Sequence, residues 1–153
     1  PEAIANWPHT LGRDGARTPM PWAAQAPQAG FSSASSTWLR MDGAHADRAI
    51  DRQLTDPGSL VSYTRRLISV RQAREAMIDG QSQLLDTPDD IVAFVRKRAE
   101  QQVLCVFNLG KQAIDWHPPA DLQVSKVIAT QASANVEESL PEVLDPQTGY
   151  WAV

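Results

Sequence analysis

IVAFVRKRAEQQVLCVFNL, residues 91–109, is the stretch on which the fold turns. Two runs rich in β-branched and aromatic residues, 91–98 and 103–109, flank Ala99-Glu100-Gln101, a loop of the length that joins neighbouring antiparallel strands. Cys105 sits inside the second run, where a small buried thiol is the expected state. It is the single cysteine, so the chain forms no internal disulfide and builds no thiolate metal site.

The same rhythm continues outward. Strands are predicted at 82–85, 112–116 and 126–129, with a final pair around 142–144 and 150–152. Thr87-Pro88-Asp89-Asp90 and Gly110-Lys111 supply turn chemistry between them. Short strands at this spacing predict a small all-β antiparallel sandwich of roughly 75 residues.

Upstream the period changes. Leu60, Tyr63, Leu67 and Val70, with Val61 and Ile68 beside them, recur at three- and four-residue intervals and predict a helix over 59–75. Asp56 followed by Pro57 gives its start signal, and Arg65, Arg66, Arg71 and Arg74 are left for the solvent side. A shorter helix is predicted at 46–54. Residues 1–43 carry Pro8, Gly12, Gly15, Pro19, Pro21, Pro27, Gly30 and a Ser-rich run, with neither helical nor strand period. A structureless segment of that length is expected to be functional and to pack on a larger body. An irregular segment, a helix and then an all-β module has the look of the end of a barrel enzyme followed by an accessory domain.

Composition narrows the function classes. The chain is 42% hydrophobic and 21% charged, with a net charge of -4, as in an ordinary globular protein. That balance offers no broad attraction to nucleic acid or to anionic membranes. No run approaches the ~20 apolar residues of a membrane span, and residues 1–6 lack a signal-peptide pattern, so a cytoplasmic location is expected. The opening Pro1 reads as an internal cut, and the chain as a fragment. His9, His45 and His117 are scattered without metal-ligand spacing, and neither a metal nor a cofactor is expected.

The most specific motif is Gly12-Arg13-Asp14-Gly15-Ala16-Arg17-Thr18-Pro19-Met20-Pro21-Trp22, followed by Ala29-Gly30-Phe31. It resembles the G/S-R-D-x-x-R-T-P-M-x-W…AGF segment of the oligosaccharide α-glucosidase branch of glycoside hydrolase family 13, the α-amylase superfamily. Trp7-Pro8 resembles the lead-in of short-substrate members. Gln53-Leu54-Thr55-Asp56-Pro57-Gly58-Ser59-Leu60, with the 63–71 stretch, resembles the family's QLxDPxSLLNYYRKLIxLR helix. Residues 103–109 resemble a strand of its carboxy-terminal sandwich.

The resemblance implies that residues 1–79 are the end of a (β/α)8 catalytic barrel, comprising the active-site loop after strand eight and the last helix. Residues 80–153 would then be the β-sandwich called domain C. It also implies an exo-acting retaining α-glucosidase that hydrolyses, or transfers glucose from, short α-glucosides or oligosaccharides. By the same resemblance Arg13 is the expected substrate-binding residue, its fork gripping hydroxyls of the terminal glucose. Asp14 and Arg17 are possible supports of the pocket, while Trp22 and Phe31 are expected to pack beneath the loop. The family's nucleophilic Asp, acid/base Glu and third Asp lie on barrel strands upstream of this segment, so no catalytic residue is assigned and the fragment alone is expected to be inactive. With barrel elements missing, apolar surface in residues 1–80 is expected to promote self-association.

An alternative is a stand-alone carbohydrate-binding β-sandwich module, with Trp116, Tyr150 and Trp151 as its stacking platform. The adjacency of Tyr150 and Trp151 argues against it, because neighbouring strand residues point to opposite faces and one of the two belongs to the core.

Overall fold

A computed structural model of the chain describes residues 14–41 and 43–153. The chain divides into two compact units, Pro1–Ser62 and Tyr63–Val153, taken here in turn. No helix among the described residues is long and apolar enough to cross a membrane.

The first unit is mostly irregular, with 3-10 turns at Asp14–Ala16 and Pro27–Gly30. The single helix predicted at 46–54 is two short ones, α1 (Gly43–Asp47) and α2 (Ile50–Leu54), separated by Ala49 in an extended conformation. The break has a local cause. The Ile50 and Asp51 amides, which a continuous helix would use internally, donate instead to the Pro21 and Trp22 carbonyls at 3.0 Å each.

Helix α3 (Leu60–Gln72) starts later than Asp56-Pro57 predicts. Ser59 caps it, its hydroxyl oxygen accepting the Ser62 amide at 3.2 Å, while the Asp56 carboxylate is spent on the Gly58 amide at 2.8 Å. The Gln53 side-chain oxygen takes the Val61 amide at 3.2 Å, satisfying another first-turn donor. Of the predicted apolar face, Val70 is buried and Tyr63 and Leu67 pack on the same cluster, but Leu60 and Ile68 are exposed. The helix ends before Arg74, which is extended, and a second helix absent from the sequence reading follows, α4 (Glu75–Asp79).

The second unit is built on antiparallel strands: β1 (Gln81–Leu84), β2 (Ile91–Arg98), β3 (Gln101–Asn108), β4 (Ile114–Asp115), β5 (Lys126–Thr130), β6 (Ala134–Ser139), β7 (Val143–Leu144) and β8 (Gly149–Ala152). Six of them form one sheet in the order β1-β2-β3-β8-β5-β6, and β4 pairs with β7 in a separate two-stranded ribbon. The β2–β3 hairpin is registered from Ile91 opposite Asn108 to Arg98 opposite Gln101. Its two-residue turn places Ala99 at a φ of 47°, in the left-handed region. Gly80, between α4 and β1, must lack a side chain, because a Cβ there would lie 2.3 Å from the Ala76 carbonyl oxygen.

Both faces of the large sheet are covered. Ile91, Ala93, Val95, Leu104, Val106, Tyr150 and Ala152 face the ribbon side, where they meet Leu144 and Trp116. Val103, Cys105, Ile128 and Ala129 face the helical side and meet Val70, Ala76 and Met77. Burial pushes the Cys105 thiol up to about 12 against a smaller opposing pull from Arg96, so it stays a neutral, packed group. Ile128 and Ala129 both belong to the helical side although they are consecutive; a register irregularity between Val127 and Ala129 makes this possible.

Polar contacts fasten these layers. The Tyr63 hydroxyl donates to the Thr130 carbonyl at 2.6 Å, tying α3 to the end of β5. The Gln101 side-chain oxygen accepts the Ala76 amide at 2.8 Å, the Arg96 guanidinium donates to the Ala76 carbonyl at 3.1 Å, and Arg98 pairs with Asp79 and Glu75. On the ribbon side, Asn108 is fully buried at the end of β3. Its amide nitrogen serves the carbonyls of Gln112, Leu144 and Asp145 at 2.8, 3.0 and 3.1 Å, while its oxygen accepts the Gly110 amide at 2.9 Å.

Replacing Asn108 takes a donor from the Gln112 and Leu144 carbonyls and the acceptor from the Gly110 amide, while the Asp145 carbonyl keeps the Thr148 hydroxyl. Asn108→Ala is expected to cost about 3 kcal/mol in denaturant unfolding. Asn108→Asp, which keeps the shape but supplies no donor, should cost at least as much at neutral pH; a loss below about 1 kcal/mol for both would contradict this role.

Candidate functional site

The irregular segment of the first unit is held by its own backbone. Gln28, Ala29 and Gly30 all have left-handed φ values, 48°, 47° and 73°. For Gln28 and Ala29 that conformation costs of order 1 kcal/mol each, so it persists only where surrounding bonds fix it. They do so here. The Ala29 carbonyl accepts the Trp22 and Ala23 amides at 2.8 and 3.0 Å, the Phe31 amide returns to the Gln28 carbonyl at 3.0 Å, and the Gln28 side chain donates to the Ser35 carbonyl at 2.9 Å. At Gly30 a Cβ would stand 3.2 Å from the Ala23 Cβ, besides the strain of its φ.

Helix α2 anchors the other side of the loop. Asp51 accepts the Ala24 amide on both carboxylate oxygens, at 3.2 and 3.0 Å, next to the two backbone bonds from Ile50 and Asp51. The break between α1 and α2 and the fixation of the loop are therefore one event.

What this braces is a cavity of about 390 Å³ lined by Asp14, Arg17, Phe31, Ser36, Thr37 and Trp38, among others. Asp14 opens the 3-10 turn, and the Arg17 amide donates to its carbonyl at 3.0 Å, so the two side chains are presented from one tight turn. Neither the Asp14 carboxylate nor the Arg17 guanidinium has a side-chain partner among the described residues. An anion, a cation, hydroxyls and aromatic faces around one small cavity match the chemistry of a polyhydroxylated ligand, whose edges hydrogen-bond and whose C–H faces are apolar.

Arg13 lies outside the described residues. Asp14 and Arg17 are brought to one cavity. Trp22 and Phe31, expected beneath the loop, remain half exposed at 52% and 51%. Trp38, which sequence reasoning passed over, is 98% exposed in the same cavity as Asp14 and Arg17; its neighbours Ser35, Ser36 and Thr37 gave no periodicity to mark it.

In the second unit a cavity of about 430 Å³ lies beside α3, lined by Tyr63, Leu67, Phe107, Leu109 and Trp151 with a few uncharged polar groups. The three aromatics of the alternative binding-module reading do not form a platform there or elsewhere. Trp116 and Tyr150 are buried in the ribbon-side core, and Trp151 packs on the opposite face.

If Asp51 fixes the loop, Asp51→Ala should raise the hydrogen-exchange rate of the Ala24 amide by about tenfold or more while leaving β2–β3 amides unchanged. Equal protection of Ala24 in both proteins would show that the backbone bonds suffice without it.

Comparison with known proteins matches the stretch of chain that contains this loop. The model of the α-amylase family, described as the α-amylase catalytic domain, matches residues 1–80. A probable α-glucosidase of Rhizobium meliloti is 37% identical over 113 residues, covering 74% of this chain and 20% of its own length. A glucan 1,6-α-glucosidase of Streptococcus pneumoniae is 31% identical over 149 residues, covering 97% of this chain and 27% of its own. The chain thus spans about a fifth to a quarter of the length of these curated relatives. Among solved structures, an isomaltulose synthase variant from Erwinia rhapontici NX5, bound to sucrose, superposes with a TM-score of 0.72 at 26% identity, over 92% of this chain and 25% of that one. With more than half of its residues matched by the family model, the chain belongs to the α-amylase family, glycoside hydrolase family 13.

Proposed function

We propose that the chain is the carboxy-terminal part of an exo-acting retaining α-glucosidase that hydrolyses, or transfers glucose from, short α-glucosides. In this reading residues 1–79 close a (β/α)8 barrel as its last active-site loop and last helix. Residues 80–153 form the β-sandwich domain C. The carrying observation is that Asp14, Arg17 and two aromatic residues share one cavity on a loop braced by α2, inside the stretch that matches the catalytic-domain model. The relatives' names and the coverage of a fifth to a quarter of their length support a glycosidase of which this chain is one part.

The chemistry divides accordingly. Bond cleavage with retention requires a nucleophilic carboxylate and an acid/base carboxyl about 5 Å apart, and those belong to the barrel strands that precede this segment. The residues here bind and orient. Arg13 grips hydroxyls of the terminal glucose through charged hydrogen bonds, which reward a chain end and reject a continuing chain. Asp14 and Arg17 support the pocket from the turn that their backbone hydrogen bond closes. The isolated chain is expected to show no turnover of its own.

In the full-length enzyme, Arg13→Ala should lower kcat/KM for an α-glucoside by about 10- to 100-fold, the value of one or two charged hydrogen bonds, with Arg13→Lys intermediate. Unchanged kcat/KM in both would reject the pocket role. The isolated chain exposes Met20, Leu54, Leu60, Ile68 and Ile78, and sedimentation should show concentration-dependent association; a monomer at every concentration would mean these side chains need no covering.

A further inference from the structure

Helix α2 carries the loop, yet it has little to hold itself with. Five residues are too few for a helix to persist on its own bonds, and Ala49 before it offers no side-chain cap. Its first two amides are given away to the Pro21 and Trp22 carbonyls, and the Asp51 carboxylate takes the Ala24 amide. The Arg52–Asp47 ion pair, 2.7 Å long, has both side chains exposed, where such a pair contributes little. Whatever fixes α2 therefore fixes the loop.

Gln53 supplies that fixation. Its side-chain nitrogen donates to the Arg48 carbonyl at 2.7 Å, at the break between α1 and α2, and its side-chain oxygen accepts the Val61 amide at 3.2 Å, in the first turn of α3. Its main-chain carbonyl accepts the Ser59 hydroxyl at 2.6 Å and the Ser62 hydroxyl at 3.3 Å, so the last turn of α2 is held to the start of α3 from backbone and side chain together. A carbonyl on one side and an amide on the other demand one donor and one acceptor on the same side chain. A carboxylate of equal length has no donor, and an apolar chain has neither.

We infer that Gln53 is a positioning residue for substrate binding. It locks α2 between the Arg48 carbonyl and the first turn of α3, and α2 in turn holds residues 21–24 of the loop that carries Asp14 and Arg17. Gln53 does not line the cavity those two residues share, so it acts on a ligand only through α2. That the loop meets a sugar rests on the α-glucosidase reading; that Gln53 holds the loop does not.

The test uses the full-length enzyme with Gln53→Met, Gln53→Glu and Gln53→Ala. Each substitution removes side-chain bonds only and leaves the Ser59 cap of α3 and both serine bonds to the residue 53 carbonyl in place. Gln53→Met fills the same space without a hydrogen bond. It should raise the exchange rate of the Ala24, Ile50 and Asp51 amides about tenfold, with the β2–β3 amides unchanged, and raise KM for an α-linked glucose disaccharide about fivefold with kcat within about twofold. Gln53→Ala should match or exceed these changes, and Gln53→Glu, which still accepts the Val61 amide, should fall between Gln53→Met and the unsubstituted enzyme. A methionine variant with unaltered exchange, faster exchange spread equally over the β2–β3 amides, or faster loop exchange with KM unmoved overturns the positioning role. Absence of turnover of any α-glucoside by the unsubstituted enzyme would instead reject the α-glucosidase reading, while the exchange rates still decide whether Gln53 holds the loop.

Discussion

Strand β3 has to hide both of its faces, and most of the second unit follows from that requirement. Val103 and Cys105 point to one side and Leu104 and Val106 to the other, all of them essentially inaccessible to solvent. A strand solvated on one face would need only one covering layer. This one needs two, and the chain supplies α3 and α4 from before the sheet and the β4–β7 ribbon from segments between the sheet's own strands. Asn108 marks the point where the apolar strand meets the ribbon, and its side chain donates to the Leu144 carbonyl in β7 and to the Gln112 and Asp145 carbonyls beside the ribbon.

The first unit obeys a different constraint. It has few buried apolar residues among those described, Ala49 and Pro19 being examples, so its shape comes from backbone hydrogen bonds that override local preference. Two non-glycine residues in the left-handed region are the sign of that override. The loop takes donors from α2, and the helix gives up its continuity with α1 as a result. Such preorganisation suits a surface that must bind without first ordering itself, since a loop already fixed loses less entropy when a ligand arrives.

How much of this was legible in the sequence depends on where each residue finds its partner. The 91–109 hairpin was readable because its apolar runs and its turn are local, and β2 spans the predicted residues. Strand β6 was missed because it is an edge strand whose Glu137 and Glu138 break any apolar run; exposed edges carry charge for physical reasons that hide them from a hydrophobic pattern. The break at Ala49, the Ser59 cap and the irregularity after Val127 all depend on partners that only the folded chain supplies: Pro21 and Trp22, Gln53, and the strand opposite. At the site, the family motif pointed to Asp14 and Arg17 by residue type, whereas Trp38 lies beyond the motif in a run of serines. Its place beside them is visible only once the loop is closed.

The central claim is that the 14–39 loop faces a sugar. A crystal structure of the full-length protein with a short α-glucoside bound tests it most directly. Sugar hydroxyls are predicted within hydrogen-bond distance of the turn that carries Asp14 and Arg17. A sugar seated in the barrel with this loop turned away from it would contradict the account.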